Sequence, residues 1–453
     1  MLRSFRLSNH RSFRDEQEVL LMPAYANERG VVPIAAVYGA NASGKSNLLD
    51  GLRFMRALVV GQVPEAGSGI DRQPFKLNPG SLLEPSVFAV EVVLTGVRYV
   101  YGFSVDDEHV REEWLYSYPH GRRRVLFERD GHDINLGSTV SERGKAEVVE
   151  SLLTAETLFL NLSARVELKQ YRPTFEWFRR SLVLPRLNSW RPIRSVEERA
   201  ARFIERSDAS RAAYLELAKA ADVGIIDINV DYVNDPVAAR HAAFLAQQAT
   251  FSEAEFRRMS GDQGRESAER AEAARQRAAA AERQVRQATL RVSHGSGKSA
   301  VFAFAAFGLA EESDGTRLWL HLLPDLITCL ADGKTMVIDE IDSSLHPLLV
   351  RKLVGLFRSP ETNPNGAQLI FTTHDAFLLA PIAGEAGVDR DQVWFVEKQA
   401  DGASTLYPLT DFKPRNEHNL ARRYLGGSYG AIPFLDDFES VHIPETSHGK
   451  DAG

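Results

Sequence analysis

Residues 34–46 read IAAVYGANASGKS, and their reading decides the fold. The run IAAVY is apolar without alternation, the pattern of a strand buried on both faces. Gly39 to Ser46 then matches G-x-x-x-x-G-K-[ST] in full. A helix follows, with Leu48, Leu49, Leu52 and Met55 on one face. A strand before and a helix after separate a phosphate loop from a chance glycine turn. Glycines at both ends let backbone N–H groups turn inward, and the helix N-terminus adds its positive end. Gly39, Ala40, Asn41, Ala42, Ser43, Gly44, Lys45, Ser46 and Asn47 are therefore the candidate nucleotide cradle. Lys45 is expected on the β- and γ-phosphates and Ser46 on Mg²⁺.

A nucleotide cradle needs an acidic partner, and residues 335–340, TMVIDE, supply a buried strand ending in two carboxylates. Asp339 is the candidate Mg²⁺ holder and Glu340 the candidate base that orients the attacking water. Alone, a strand ending in Asp-Glu is common; beside a phosphate loop it acquires meaning. The string HGSGKS at 294–299 is different. A phosphate loop there needs glycine at 292, which is valine, so these residues read as a turn.

Outward from these motifs, residues 2–22 read as two strands around a turn. From Pro74 to about Leu136 the pattern is β: Phe88, Val90, Val92 and Leu94 alternate, as do Tyr99, Tyr101, Phe103 and Val105 after the turn Thr95-Gly96. Residues 144–222 turn helical, with one apolar seam through Val196, Ala200, Phe203, Ser207, Ser210, Tyr214, Leu217 and Ala221. Residues 225–233 and 300–307 read as strands. Between them, Ala238 to Met259 and Ala271 to Val292 keep a 3,4 spacing around the turn-like SGDQG at 260–264, which predicts an antiparallel helical hairpin about 35 Å long. Two ordinary helices packed on the body would give the same letters. The expected division is an N-terminal half, 1–235; the hairpin, 236–292; a C-terminal half, 293–438; and a tail, 439–453.

Composition narrows the class. The 453 residues are 44% hydrophobic and 25% charged, an ordinary globular balance. A net charge of −7 argues against an overall basic coat for nucleic acid, while Arg122-Arg123-Arg124, Arg179-Arg180 and Lys413-Pro414-Arg415 leave local basic patches. The single cysteine, Cys329, excludes an intrachain disulfide framework and a cysteine-cluster metal site. No 18-residue apolar run occurs, and the first residues lack the pattern of a secretory signal, so a cytoplasmic protein without membrane spans is expected.

Taken in order, these motifs resemble an ABC-type ATPase head of the SMC-like and OLD-like branch, in which a helical insertion separates the lysine strand from the acidic strand. The resemblance implies a P-loop NTPase of ABC-ATPase head type: an α/β fold with a mixed sheet core, an antiparallel β subdomain and an inserted coiled-coil-like hairpin. It implies ATP and Mg²⁺ as cofactors, and two heads clamping nucleotide in a homo-oligomer. Ser313, Gly315 and Thr316, in EESDGT before LWLHLLPDLITCL, match the signature that faces the γ-phosphate of the other copy; Asp314 stands where glycine is usual. An ordinary helix cap by Ser313 or Asp314 fits the same letters. The run from Asp342 to Pro347 matches the loop leading to the dimer partner. His374, in LIFTTHD, matches the switch histidine, and Gln73, in RQPFKLNP, the metal-sensing glutamine.

Further segments (PFKL at 74–77, YVYGF at 99–103, EESDGT, and residues 412–435) are similar to the RloA/AbiL-type abortive-infection ATPases. That resemblance implies a bacterial antiphage system with a separate Toprim-like effector. A fused Toprim nuclease would need more than the roughly 80 residues that follow His374. A transporter subunit would have a short gap between Lys45 and Asp339, not about 290 residues. A DNA-repair or chromosome-associated ATPase acting directly on DNA is the alternative, with the basic stretches as its contacts.

Overall fold

The computed structural model describes residues 1–24, 30–63, 67–185, 193–221, 224–257, 262–295, 305–381, 387–415 and 418–433. It divides into two compact units, Met1–Leu182 with Gln368–Gly453, and Val183–Ala367.

In the first unit, Ile34–Tyr38 is a parallel strand between Gln368–Thr373 and Val393–Lys398, with Ser404–Pro408 antiparallel on the last. All five residues of Ile34–Tyr38 are buried, as a strand covered on both faces requires. The helix Lys45–Val60 buries Leu48, Leu49, Leu52, Met55 and Val59. Gly51 lets it approach the neighbouring sheet: a β-carbon there would sit 3.0 Å from the Phe5 ring.

That neighbour is a seven-stranded antiparallel sheet. Its order is Gln17–Leu20, Leu2–Ser8, Ser86–Leu94, Val97–Val105, Val110–Tyr118, Arg124–Asp130 and Asp133–Leu136. Alternation aims Phe5, Leu7, Phe88, Val90, Tyr101, Phe103, Leu115 and Phe127 into the core. The expected meander is present from Ser86 rather than from Pro74, because Pro79–Leu83 forms a short helix capped by Asn78; its first hairpin turns on Thr95 and Gly96, both at positive φ (47° and 79°). Inside this core lies a charged pair. Glu113 accepts hydrogen bonds from the Tyr101 hydroxyl (2.9 Å) and the N–H groups of Phe159 (2.6 Å) and Leu160 (3.0 Å), while Arg129 donates to the Thr157 carbonyl (2.6 Å). Burial raises the Glu113 pKa despite the charge of Arg129 and these donors.

The second unit holds a three-stranded antiparallel sheet, Ile225–Asn234, Arg286–His294 and Ala305–Gly308. The helices Pro236–Phe256 and Asp262–Val285 pack against each other between its first two strands, with Ala242, Ala249 and Ala271 buried. The hairpin is present, but its second arm stops earlier than the spacing predicts. From Arg286 the chain is a strand, paired Ala288 to Tyr232 and Val292 to Ile228. Ala288, Leu290 and Val292 are buried at period two. Alanine and valine at 288 and 292 satisfy both periods, and sheet pairing decides between them.

The seam from Val196 to Ala221 is also interrupted. Ile193–Ile204 and Asp208–Ala220 are separate helices, because Ser207 is extended and its hydroxyl accepts the Ser210 N–H (3.1 Å) as an N-cap. Tyr214 donates to the Leu320 carbonyl and Trp319 to the Leu217 carbonyl, both at 2.9 Å, which ties this arm to the helix Asp314–Asp332. Of the expected turn SGDQG at 260–264, Asp262 to Gly264 already belong to the second helix; residues 260–261, the SGKS letters at 296–299 of the string at 294–299, the strand start at 300–304 and the tail at 439–453 lie outside the described residues. Among the described residues, no helix is long and apolar enough to cross a membrane.

Candidate nucleotide site

The phosphate loop is held by close approaches that exclude side chains. A β-carbon on Gly39 would sit 2.5 Å from the Val396 carbonyl oxygen and 2.6 Å from the Ser43 hydroxyl. Gly44 has φ 114°, and its β-carbon would lie 2.4 Å and 2.6 Å from the hydroxyls of Ser404 and Ser12. Those hydroxyls brace the loop. Ser404 Oγ donates to the Ser43 carbonyl (2.5 Å) and lies 2.8 Å from Ser12 Oγ, which also accepts from Asn47 Nδ2 (2.8 Å). Asn47 is therefore committed to bracing. Ser12 and Ser404 bear no motif, and only the folded chain reveals their part.

Lys45 opens the helix Lys45–Val60, and its ammonium donates to the carbonyls of Gly39 (2.7 Å) and Ala40 (2.9 Å). A cation is thereby fixed at the mouth of a loop that leads into the positive end of a helix. Farther along this helix, Asp50 meets His10 Nε2 (3.1 Å) and the guanidinium of Arg11. Burial pushes the Asp50 carboxyl up, but the hydrogen bonds and charge of His10 and Arg11 outweigh it, so its pKa falls below the ordinary value.

Beside the loop lies a cavity of about 640 Å³. Gly39 to Ser43 form one wall, and His374, Val396, Glu397, Tyr424 and Ile432 contribute to the rest. His374 is exposed directly after the buried strand Gln368–Thr373. Next to it, Asp375 accepts the Phe377 N–H (2.8 Å) and so starts a tight turn. Glu397 and Tyr424 are members that motif reading misses. Gly430, at φ 66°, lets the chain pass Glu397, whose carboxylate a β-carbon there would meet at 3.1 Å. Gln73 is not among the cavity-lining residues; its amide donates to Asp71 (3.2 Å).

The second unit holds the acidic motif. Thr335–Ile338 is wholly buried and delivers Asp339 and Glu340 at its end. Glu340 adopts φ 50°, the left-handed region that a non-glycine residue occupies at a cost, and its carbonyl accepts the Ser343 N–H (3.0 Å). The signature letters form a helix cap: Ser313 Oγ accepts the Thr316 N–H (3.1 Å) at the start of Asp314–Asp332. Gly315 sits so close to the loop after the acidic strand that a β-carbon would be 2.9 Å from the Ser344 carbonyl. In that loop His346 caps the helix Pro347–Arg358, its Nδ1 accepting the Leu348 N–H (3.2 Å).

The donor set fits a triphosphate: a backbone cradle that β-carbons would fill, one fixed ammonium and a helix N-terminus. Among the described residues, no cluster of three or more His, Cys, Asp or Glu could hold a metal ion.

These features define a P-loop nucleoside-triphosphatase of α/β class. The chain belongs to the family described as "AAA domain, putative AbiEii toxin, Type IV TA system", which matches residues 34–380. A solved structure of the SmcHead bound to the C-winged helix domain of ScpA is similar, with 12% identity and a TM-score of 0.41 over 90% of this chain and 96% of that chain. No curated protein matches.

Proposed function

We propose that the protein binds and hydrolyses ATP, dimerises around the nucleotide, and acts as the sensor and regulator of a bacterial antiphage system, controlling a separate Toprim-like effector. The observation that carries the ATP reading is the Lys45 ammonium, fixed on the Gly39 and Ala40 carbonyls of a loop with no room for a β-carbon at Gly39. Family membership supports ATPase chemistry. The antiphage role rests on the motif resemblance.

In this reading the loop N–H groups and Lys45 grip the β- and γ-phosphates. Ser46 and Asp339 hold Mg²⁺, with Gln73 as the sensing ligand; bound magnesium neutralises charge on the phosphates. Glu340 orients the attacking water and accepts its proton, and His374 contacts the γ-phosphoryl group. Ser313, Gly315 and Thr316 of one copy complete the site of the other. The hairpin divides the chain into the two halves 1–235 and 293–438, and the tail is 439–453.

ATP turnover by the purified protein tests the reading. Lys45→Ala should lose both binding and turnover. Glu340→Gln should lose turnover by a hundredfold or more, the typical weight of a general base, yet keep ATP and accumulate dimer. Turnover unchanged in both variants refutes it.

A further inference from the structure

The outer face of the seven-stranded sheet carries a row of aromatic residues that the ATPase reading does not use. On Val110–Tyr118, the buried residues Glu113, Leu115 and Ser117 alternate with half-buried Trp114, Tyr116 and Tyr118. Three aromatic rings therefore stand side by side on the face opposite the core. Beside them is a trough of about 360 Å³. Across the strands, Trp114 pairs with Gly102, Gly102 with Ala89, and Ala89 with Arg6. The small side chain of Ala89 thus lines the trough between an indole and a guanidinium. Gly102 is required: a β-carbon would sit 2.3 Å from the Trp114 ring, so the indole lies across the glycine.

Cations accompany the rings. Arg98 stacks over Tyr118 (3.7 Å) and Arg123 over Tyr116 (3.8 Å). After Tyr118 the chain turns through His120 and Gly121, both at positive φ, into the run Arg122-Arg123-Arg124. Carboxylates are present too. Glu91 pairs with Arg98 (3.4 Å), Glu128 with Arg123 (2.8 Å), and Glu18 lies 3.9 Å from Arg6.

We infer that this face is a binding site for single-stranded nucleic acid, with a base stacked on Trp114 in the trough and flanking phosphates on the Arg122–Arg124 run. Rings with flat faces accept any base, and guanidinium groups at the end of the row match the charge of a phosphate chain. A peptide strand is not what the face offers. Ser86–Leu94, Val97–Val105 and Val110–Tyr118 are each paired on both sides, so no main-chain ladder is open there. A duplex keeps its bases stacked and cannot use the rings.

Fluorescence anisotropy with the full-length protein and labelled single-stranded DNA and RNA oligonucleotides tests this. Trp114→Ala should weaken binding about ten- to hundredfold, the range for one lost base stack, and Trp114→Phe should retain most of it. Arg122→Ala should lower the salt slope by about 0.7, one single-strand phosphate contact. Unchanged ATP turnover in Trp114→Ala shows that the variant is folded. The DNA and RNA arms identify which strand is preferred. The inference fails if neither oligonucleotide binds at low salt, if Trp114→Ala binds as tightly as the wild type, or if duplex competes equally. None of these outcomes bears on the ATPase reading.

Discussion

Replacing Gly44 by alanine is the sharpest probe of the loop. At φ 114° the residue lies outside even the left-handed helical region that other residues visit. Forcing alanine into such backbone costs about 1–3 kcal/mol. The new methyl would also stand 2.4 Å from Ser404 Oγ and 2.6 Å from Ser12 Oγ, so both hydroxyls must move. Their bonds to the Ser43 carbonyl and from Asn47 are then broken, at about 1 kcal/mol each. The expected destabilisation is about 3–5 kcal/mol, with ATP affinity falling because the cradle itself is displaced. Urea unfolding followed by tryptophan fluorescence reads the first quantity, and a titration with labelled ATP the second. Adding Ser404→Ala should restore about 1 kcal/mol by removing one clash. A Gly44→Ala protein within 1 kcal/mol of wild type, binding ATP normally, would refute the claim that contact with the two serines shapes the loop.

The core pair gives a second test. Glu113→Ala leaves the buried charge of Arg129 without its counter-ion and two core N–H groups without their acceptor, and should cost about 3–5 kcal/mol of unfolding free energy measured in urea, whereas Glu113→Gln should cost less. Asp50 sets a pH dependence. Its pKa is lower folded than unfolded, so its stabilisation is present above the unfolded carboxylate range and lost as pH falls through the folded pKa. Asp50→Asn should therefore lower the thermal midpoint at pH 7 and converge with wild type in acid. The thiol of Cys329 is buried, and burial together with nearby Asp325 pushes its pKa up to about 12. It should resist a thiol reagent in the native protein and react fully in urea; fast native reaction would contradict its burial.

Some of this was legible from local chemistry. IAAVY followed by GANASGKS specifies a two-sided buried strand, a phosphate loop and a helix, because each letter answers a backbone requirement within a few residues. The meander from Ser86 to Leu136 was equally plain, since alternation and the Thr95-Gly96 turn agree. Alanine defeats such reading: at 288 and 292 it and valine fit a helical seam as well as a strand, and only pairing with Ile225–Asn234 selects the strand. Ser207 sits on an apolar repeat yet ends it, because a capping hydroxyl competes with helix continuation.

The amino-acid order by itself determined the nature of the chemistry: a lysine in a glycine cradle, carboxylates at a strand end, a histidine after another strand. Tertiary structure decided who supports that chemistry. Ser12 and Ser404 meet Gly44 from nearly 400 positions apart, and Glu397 and Tyr424 join the loop and His374 around one cavity. The physical reason is range. Backbone dihedrals, capping and periodicity act over a few residues, whereas close packing is a constraint on atoms that the chain has already brought together.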